Sequence, residues 1–228
     1  MSKLPNISNS FSIGPIYREL LYKIVMLGVH KNILEIGCMN GYSTSAFTTA
    51  LDNEADFKLT LCDIRFSSGV KNLASKHPDK ITLKEQKSIN TIDDSYDLIF
   101  VDGDHNVKVV AEEIKLLLKN ETKTIIAHDT HIINGGNAWW GPPLLKSIFD
   151  IHPQYHGFSL YNPNVEFLRL GLSIYSRDFN AHQQMYQLAL EHSNKYQSTY
   201  IVYLNQIEKS KQPFIPKKIT PKTSLKLL

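Results

Sequence analysis

Five residues able to handle protons or metal ions fall in two short clusters. Asp102, Asp104 and His105 stand in FVDGDH, and His128 and Asp129 stand in IIAHDT. Each cluster follows an apolar run, and a strand needs no acids at its tip in order to fold. Two carboxylates and an imidazole brought to one point repel or desolvate each other unless a cation sits between them. Carboxylate oxygens suit Mg²⁺ or Ca²⁺, and a histidine also suits Mn²⁺, Fe²⁺ or Zn²⁺. Asp104 or His105 could accept a proton, and histidine does so near neutral pH without a large shift. Asp104 has a structural alternative as well, capping a helix that starts near Asn106.

A second set lies earlier. ILEIGCMNGYST places Glu35, Gly37 and Gly41 as E-x-G-x-x-x-G. Glycines there allow a tight strand-to-helix turn and close approach of a ligand to the backbone. A pyrophosphate-binding turn would read G-x-G-x-x-G, but Met39 occupies the place of its second glycine. The ligand expected is therefore one without a pyrophosphate. Asp63 closes the next apolar run, where an acid can accept the hydroxyl hydrogens of a ribose. His131 and the Trp139-Trp140 pair could wall a second substrate, or the tryptophans could simply pack a loop.

The elements that must position these residues alternate. Helical spacing of Ile16, Leu20, Ile24 and Leu27 predicts a first helix over 14–30. Strands are expected at 32–36, 57–64, 80–84, 97–101 and 122–127. Helices are expected at 43–51 and 67–77 and along the stripe Val107, Val110, Ala111, Ile114, Leu117 and Leu118. Continuous apolar strands between amphipathic helices predict a parallel, doubly wound α/β sheet covered on both faces. A loop over 130–143, a helix at 144–151 and an antiparallel pair at 157–161 and 168–175 follow. Met185, Leu188, Ala189, His192 and Tyr196 predict a C-terminal helix, while residues 199–204 could extend it or form a strand.

Composition bounds the rest. The chain has 228 residues, of which 42% are hydrophobic, enough for one core without disulfides or structural metal. Cys38 and Cys62 read as reduced, buried thiols of a cytoplasmic protein. No apolar run approaches the roughly 20 residues of a membrane span, and MSKLPNISNS lacks the apolar stretch of a signal peptide. Six lysines and no acid occur from Lys209 onward, so the net charge of +3 conceals a slightly acidic body. The body gives no argument for nucleic-acid binding.

The turn E-x-G-x-x-x-G with Asp63 resembles the cofactor site of class I S-adenosylmethionine-dependent methyltransferases. The pair FVDGDH and IIAHDT is similar to the metal-dependent O-methyltransferase branch with small catalytic domains. That branch includes antibiotic sugar O-methyltransferases and cephalosporin-hydroxylase-like proteins (methyltransferase family 24). The resemblance covers roughly residues 15–176. It implies a Rossmann-like, seven-stranded sheet, mostly parallel, with an antiparallel C-terminal hairpin. It implies S-adenosylmethionine contacts at Glu35, Gly37, Gly41, Asp63, Ser88 and Asp102. Glu35 would orient the methionine end or the turn, and Ser88 would lie in the loop that contacts adenine. A divalent cation, Mg²⁺ foremost, would be held by Asp102, His128 and Asp129, although His128 stands where an acid or amide is more usual. Asp104 or His105 would be the base. The sequence departs from the resemblance before the fifth strand, where Asn120-Glu121-Thr122 replaces a glycine pair.

The resulting expectation is a methyltransferase acting on a hydroxyl of a small, sugar-like or vicinal-diol acceptor. It comprises a catalytic domain at 1–176, a helical extension at 177–210 and a basic, disordered tail at 211–228. No membrane span is expected, and a homodimer is left open. Two other readings remain. One is a metal-dependent hydrolase using Asp102, His128 and Asp129. The other is a non-catalytic cofactor-binding module with a recruiting tail.

Overall fold

The computed structural model describes residues 13–131, 140–161, 170–195 and 201–205. Helix α1 (Pro15–Met26) begins with a proline in its first turn, where the missing N–H removes no helical bond. It is followed by β1 (Asn32–Ile36), α2 (Thr44–Asp52), β2 (Lys58–Asp63), α3 (Ser68–Ala74) and β3 (Ile81–Glu85). A 3₁₀ turn (Ser88–Asn90) leads to β4 (Leu98–Val101), α4 (Val107–Lys119) and β5 (Thr124–His131). The chain continues through α5 (Gly141–Ile151), β6 (His156–Tyr161), β7 (Leu170–Ser176), α6 (Phe179–Lys195) and β8 (Ile201–Asn205).

One sheet has the order β3-β2-β1-β4-β5-β7-β6-β8. Strands β1 to β5 are parallel, and β7, β6 and β8 are antiparallel to their neighbours. The seven strands of the expected sheet are present. An eighth, over residues the sequence left undecided, pairs with β6, so the extension after residue 176 contributes a strand as well as a helix.

Both faces are covered. In β4, Leu98 and Phe100 join the core beneath α1, α2 and α6, while Ile99 and Val101 join the core beneath α4 and α5. Because successive strand side chains alternate in direction, this double burial demands the uninterrupted apolar run LIFV. The buried stripe of α1 runs through Tyr17, Leu20, Leu21, Ile24 and Val25, rotated slightly from the stripe read in the sequence. Helix α6 is clamped onto α1. His192 Nε2 donates to the Ile16 carbonyl at 2.8 Å, and Lys195 reaches Glu19 at 2.8 Å.

Several boundaries differ from expectation: α1 ends at Met26 rather than 30, and α3 ends at Ala74 rather than 77. Strand β5 runs on to His131, and α5 begins at Gly141 rather than 144. Pro142 and Pro143 fit the first turn of α5 without loss of a bond. Trp139 and the tail from residue 206 lie outside the described residues.

Candidate active site

The carboxyl ends of β1, β2, β4 and β5 open into one cleft of about 1220 Å³. Strand β1 sits between β2 and β4, so the chain crosses from one side of the sheet to the other here. Such switch points leave a crevice where ligands bind. The volume accommodates a nucleoside-sized molecule and a second small substrate together.

The glycine turn forms one wall. Gly37 (φ +84°) and Gly41 (φ +84°) both take left-handed backbone angles that disfavour side chains. A Cβ on Gly37 would lie 2.1 Å from the Asp102 carbonyl oxygen. The closest demand for glycine is therefore the passing end of β4, whereas the sequence reading gave this close approach to a ligand. Met39, also left-handed (φ 44°), is half exposed in the cleft. Asp63 holds the turn in place, its Oδ2 accepting from the amides of Cys38 (2.8 Å) and Met39 (3.1 Å). Its Oδ1 takes the Arg65 amide at 3.3 Å. Asp63 lines the cleft, and an ionised carboxylate retains further acceptor capacity for ribose hydroxyls.

Glu35 lies behind the turn rather than in the cleft. It is fully buried and accepts a hydrogen bond from Ser43 at the head of α2. Burial pushes its carboxyl up to about 8, against the pull of the hydrogen bond from Ser43. Of the two roles read for Glu35, the geometry supports shaping the turn. Ser88 lines the far end of the cleft with Gln86, Lys87 and Ile89.

The opposite wall is built from charged side chains. His128 Nδ1 lies 3.0 Å from Asp102 Oδ1 and 3.4 Å from Asp129 Oδ1. His105 Nε2 lies 2.9 Å from Asp129 Oδ2. One ligand atom from each of Asp102, His128 and Asp129 falls within 4.8 Å of the others, the one such group among the described residues. Burial raises the Asp102 carboxyl, opposed by the nearby His128 imidazole and reinforced by Asp129. Two desolvated carboxylates beside imidazole nitrogens fit a divalent cation in donor type and spacing.

The convergence of His128 and Asp129 needs explanation, because consecutive strand residues point to opposite faces. Asp129 takes a left-handed angle (φ 55°), and the β5–β7 register shifts between His128 and His131. This bulge turns the second side chain toward the first. Tyr17 of α1 packs edge-on against the His128 ring, with centroids 5.8 Å apart. Nothing in the sequence pointed to Tyr17 beyond its place near a helical stripe.

The two candidate bases separate. His105 is bonded into the charged cluster, whereas Asp104 Oδ1 accepts the Asn106 amide at 2.8 Å. Asn106 in turn caps α4 by accepting from Lys108 N at 2.9 Å. Asp104 thus serves the loop leading into α4. His131 faces Thr130 and Gly171, and burial lowers its imidazole to about 4. Trp140 is exposed at the start of α5 and does not line the cleft.

The parallel half-sheet with a crevice at the β1/β4 switch, followed by an antiparallel β7, defines a Rossmann-like architecture. Residues 34–130 match a family model described as a methyltransferase domain. That match spans under half of the chain, and over those residues the chain is similar to methyltransferase domains. The solved structures it resembles include an O-methyltransferase of Bacillus cereus in complex with SAH. That likeness has a TM-score of 0.58 at 16% identity, covering 74% of this chain and 83% of that one. They also include the O-methyltransferase TomG of Streptomyces achromogenes, involved in tomaymycin synthesis and solved with SAM. Its TM-score is 0.55 at 15% identity, with 72% and 81% covered. A third is the SAH-bound methyltransferase PaMTH1 of Podospora anserina, with TM-score 0.53, 17% identity, and 72% and 79% covered. At these identities the likeness is one of fold. No curated protein sequence matches the chain.

Proposed function

We propose that the protein transfers the methyl group of S-adenosylmethionine to a hydroxyl of a small molecule, assisted by a divalent cation at Asp102, His128 and Asp129. The observation that carries this reading is the convergence of those three side chains, with His105 bonded to Asp129, at the end of a cleft large enough for donor and acceptor. The O-methyltransferases among the similar structures support oxygen as the accepting atom.

The cation would lower the pKa of the acceptor hydroxyl and offset the two carboxylate charges. Mg²⁺ suits the carboxylates, and the imidazole extends the range to Mn²⁺ or Fe²⁺. S-adenosylmethionine supplies a sulfonium methyl that moves in one in-line displacement, so alignment contributes much of the rate. The chain's own part is to hold and to deprotonate. Asp63 fixes the glycine turn against the donor. His105 takes the hydroxyl proton on its imidazole, and Asp129 orients that ring through Nε2. Two adjacent hydroxyls on the acceptor, as in a sugar or vicinal diol, would suit two-point attachment beside the cluster.

A hydrolase reading has less support. Among the described residues no second metal-capable group joins the triad, and hydrolysis leaves the crevice at β1 and β2 without a use. A binding module without turnover would not need a histidine bonded to a carboxylate beside the cation ligands. No helix among the described residues is long and apolar enough to cross a membrane. A homodimer and a role for the basic tail remain compatible with this proposal.

The test is turnover of labelled S-adenosylmethionine with hydroxylated acceptors, with and without EDTA. Chelation should abolish methylation, and added Mg²⁺ or Mn²⁺ should restore it. Full activity in EDTA would remove the cation from the proposal and leave the His105–Asp129 pair to act alone.

A further inference from the structure

Asp129, one of the cation ligands proposed above, has a strained backbone. Its φ of 55° is a left-handed angle that side chains disfavour, and such angles persist only where the surrounding structure over-determines them. In the β5–β7 register His128 is opposed by Leu172 and His131 by Leu170. Asp129 and Thr130 together therefore oppose Gly171 alone, the count that defines a bulge. A bulge disrupts the ladder of backbone bonds, so something besides the ladder must fix the chain at this point.

The side chains that follow Asp129 supply that hold. Thr130 Oγ1 lies 2.7 Å from Ser173 Oγ of β7, and Ser173 Oγ lies 2.7 Å from Ser159 Oγ of β6. All three residues are buried. Ser159 and Ser173 oppose each other in the β6–β7 register, where β-branched or aromatic residues are the usual choice. Buried hydroxyls cost free energy unless they are bonded, and here they bond one another in a row that ends at Thr130. Thr130 Oγ1 also lies 3.2 Å from His131 Nδ1. The His131 imidazole fills the space a side chain at 171 would need, since a Cβ on Gly171 (φ +99°) would fall 2.2 Å from Nδ1. Both residues after Asp129 are thus fastened to β7.

We propose that Thr130 is a positioning residue: through Ser173 and Ser159 it holds the bulge in the form that turns the Asp129 carboxylate toward Asp102 and His128. This inference rests on the cation reading of that site. Without the bulge, consecutive His128 and Asp129 would point to opposite faces of the sheet. Cation affinity then depends on three hydroxyl residues that do not line the cleft. Loss of such outer partners commonly lowers metal affinity by about 10–100-fold.

Titration of the full chain with Mn²⁺, followed by the electron paramagnetic resonance signal of the free ion, tests this. Calorimetry gives the S-adenosylhomocysteine affinity of the same proteins. Thr130→Val keeps a β-branched side chain in the strand and removes the hydroxyl. It should weaken Mn²⁺ binding by about tenfold or more, while S-adenosylhomocysteine affinity stays within about threefold. Ser173→Ala should weaken Mn²⁺ binding similarly, because it removes the same bond from the other end. Thr130→Ser keeps the hydroxyl and should stay within about threefold of wild type. A folded Thr130→Val protein with wild-type Mn²⁺ affinity overturns the proposal. If that variant does not fold, Ser173→Ala decides, and an unchanged affinity there overturns it equally. A Thr130→Ser protein as weak as Thr130→Val, or a parallel loss of S-adenosylhomocysteine affinity, also overturns it. Wild type that binds no Mn²⁺ overturns the cation reading and this inference with it, whereas tight wild-type binding with unmoved variants overturns only the role of Thr130.

Discussion

At the β1–β2 edge of the cleft, Asp63 uses its carboxylate to hold two backbone amides. At the β4–β5 edge, Asp102 and Asp129 turn theirs toward imidazoles. The first wall is backbone shaped by glycines and steadied by one acid. The second is a group of charges whose positions depend on a bulge. Backbone walls favour recognition through fixed amides and shape. Charged walls favour chemistry, because buried groups of opposite sign alter each other's proton affinity. Under the proposed function, the contrast would divide the cleft into a part that holds the donor and a part that activates the acceptor.

The sharpest break of this contrast is His105→Gln. If His105 is the base, kcat should fall by about 10²–10⁴-fold, while S-adenosylhomocysteine affinity stays within about threefold, since donor and acceptor halves are separate. Single-turnover kinetics and calorimetry read the two quantities. Loss of cofactor affinity in step with kcat would show that the two walls do not act separately.

Gly37→Ala probes the point where the walls touch. Its Cβ would sit 2.1 Å from the Asp102 carbonyl oxygen, a backbone atom that cannot swing aside as a side chain could. Strain at the left-handed angle adds to the clash, so stability should drop by about 3 kcal/mol or more. Denaturant titration measures it. An unchanged midpoint would mean that the end of β4 can yield, and that the charged wall is less fixed than the structure shows.

The sequence carried the two halves unequally. Glycine spacing and the apolar runs of β1, β2 and β4 placed the donor wall, because turn geometry and burial leave direct marks on residue type. The parallel, doubly wound character of the sheet followed from the alternation of strands and helices. The acceptor wall was legible as a set of residues, not as an arrangement. His128 and Asp129 are consecutive, and only the left-handed Asp129 and the bulge make them converge. Nothing in IIAHDT announces that angle. Likewise Gly37 reads the same whether its close neighbour is a ligand or the β4 backbone. Glu121, left-handed (φ 51°) where the resemblance leads one to expect glycine, shows a turn kept without its usual residue.

Glu35 sharpens the comparison through pH. In the unfolded chain its carboxyl titrates near 4.5, and in the fold burial raises it to about 8. The folded state therefore holds the proton more tightly. The stability this gives is complete below pH 4.5 and is lost as pH rises through about 8. Relative to Glu35→Gln, wild type should lose on the order of 1 kcal/mol per pH unit across that window. Paired melting curves from about pH 5.5 to about 8.5 would show this divergence, and parallel curves would rule it out.

The smallest effect should come from Asp104→Asn, and it separates the two candidates that FVDGDH presents side by side. Asp104 is exposed and accepts the Asn106 amide, a bond that an asparagine side-chain oxygen can also make. His105, the residue next to the α4 cap Asn106, is the one joined to Asp129. Removing the charge at 104 should therefore change kcat by less than about threefold, because an exposed carboxylate is strongly screened. A fall of a hundredfold, with His105→Gln nearly silent, would exchange the two roles. The proton would then leave through the loop side of the cleft, and the His105–Asp129 bond would be a brace holding the charged wall to the start of α4.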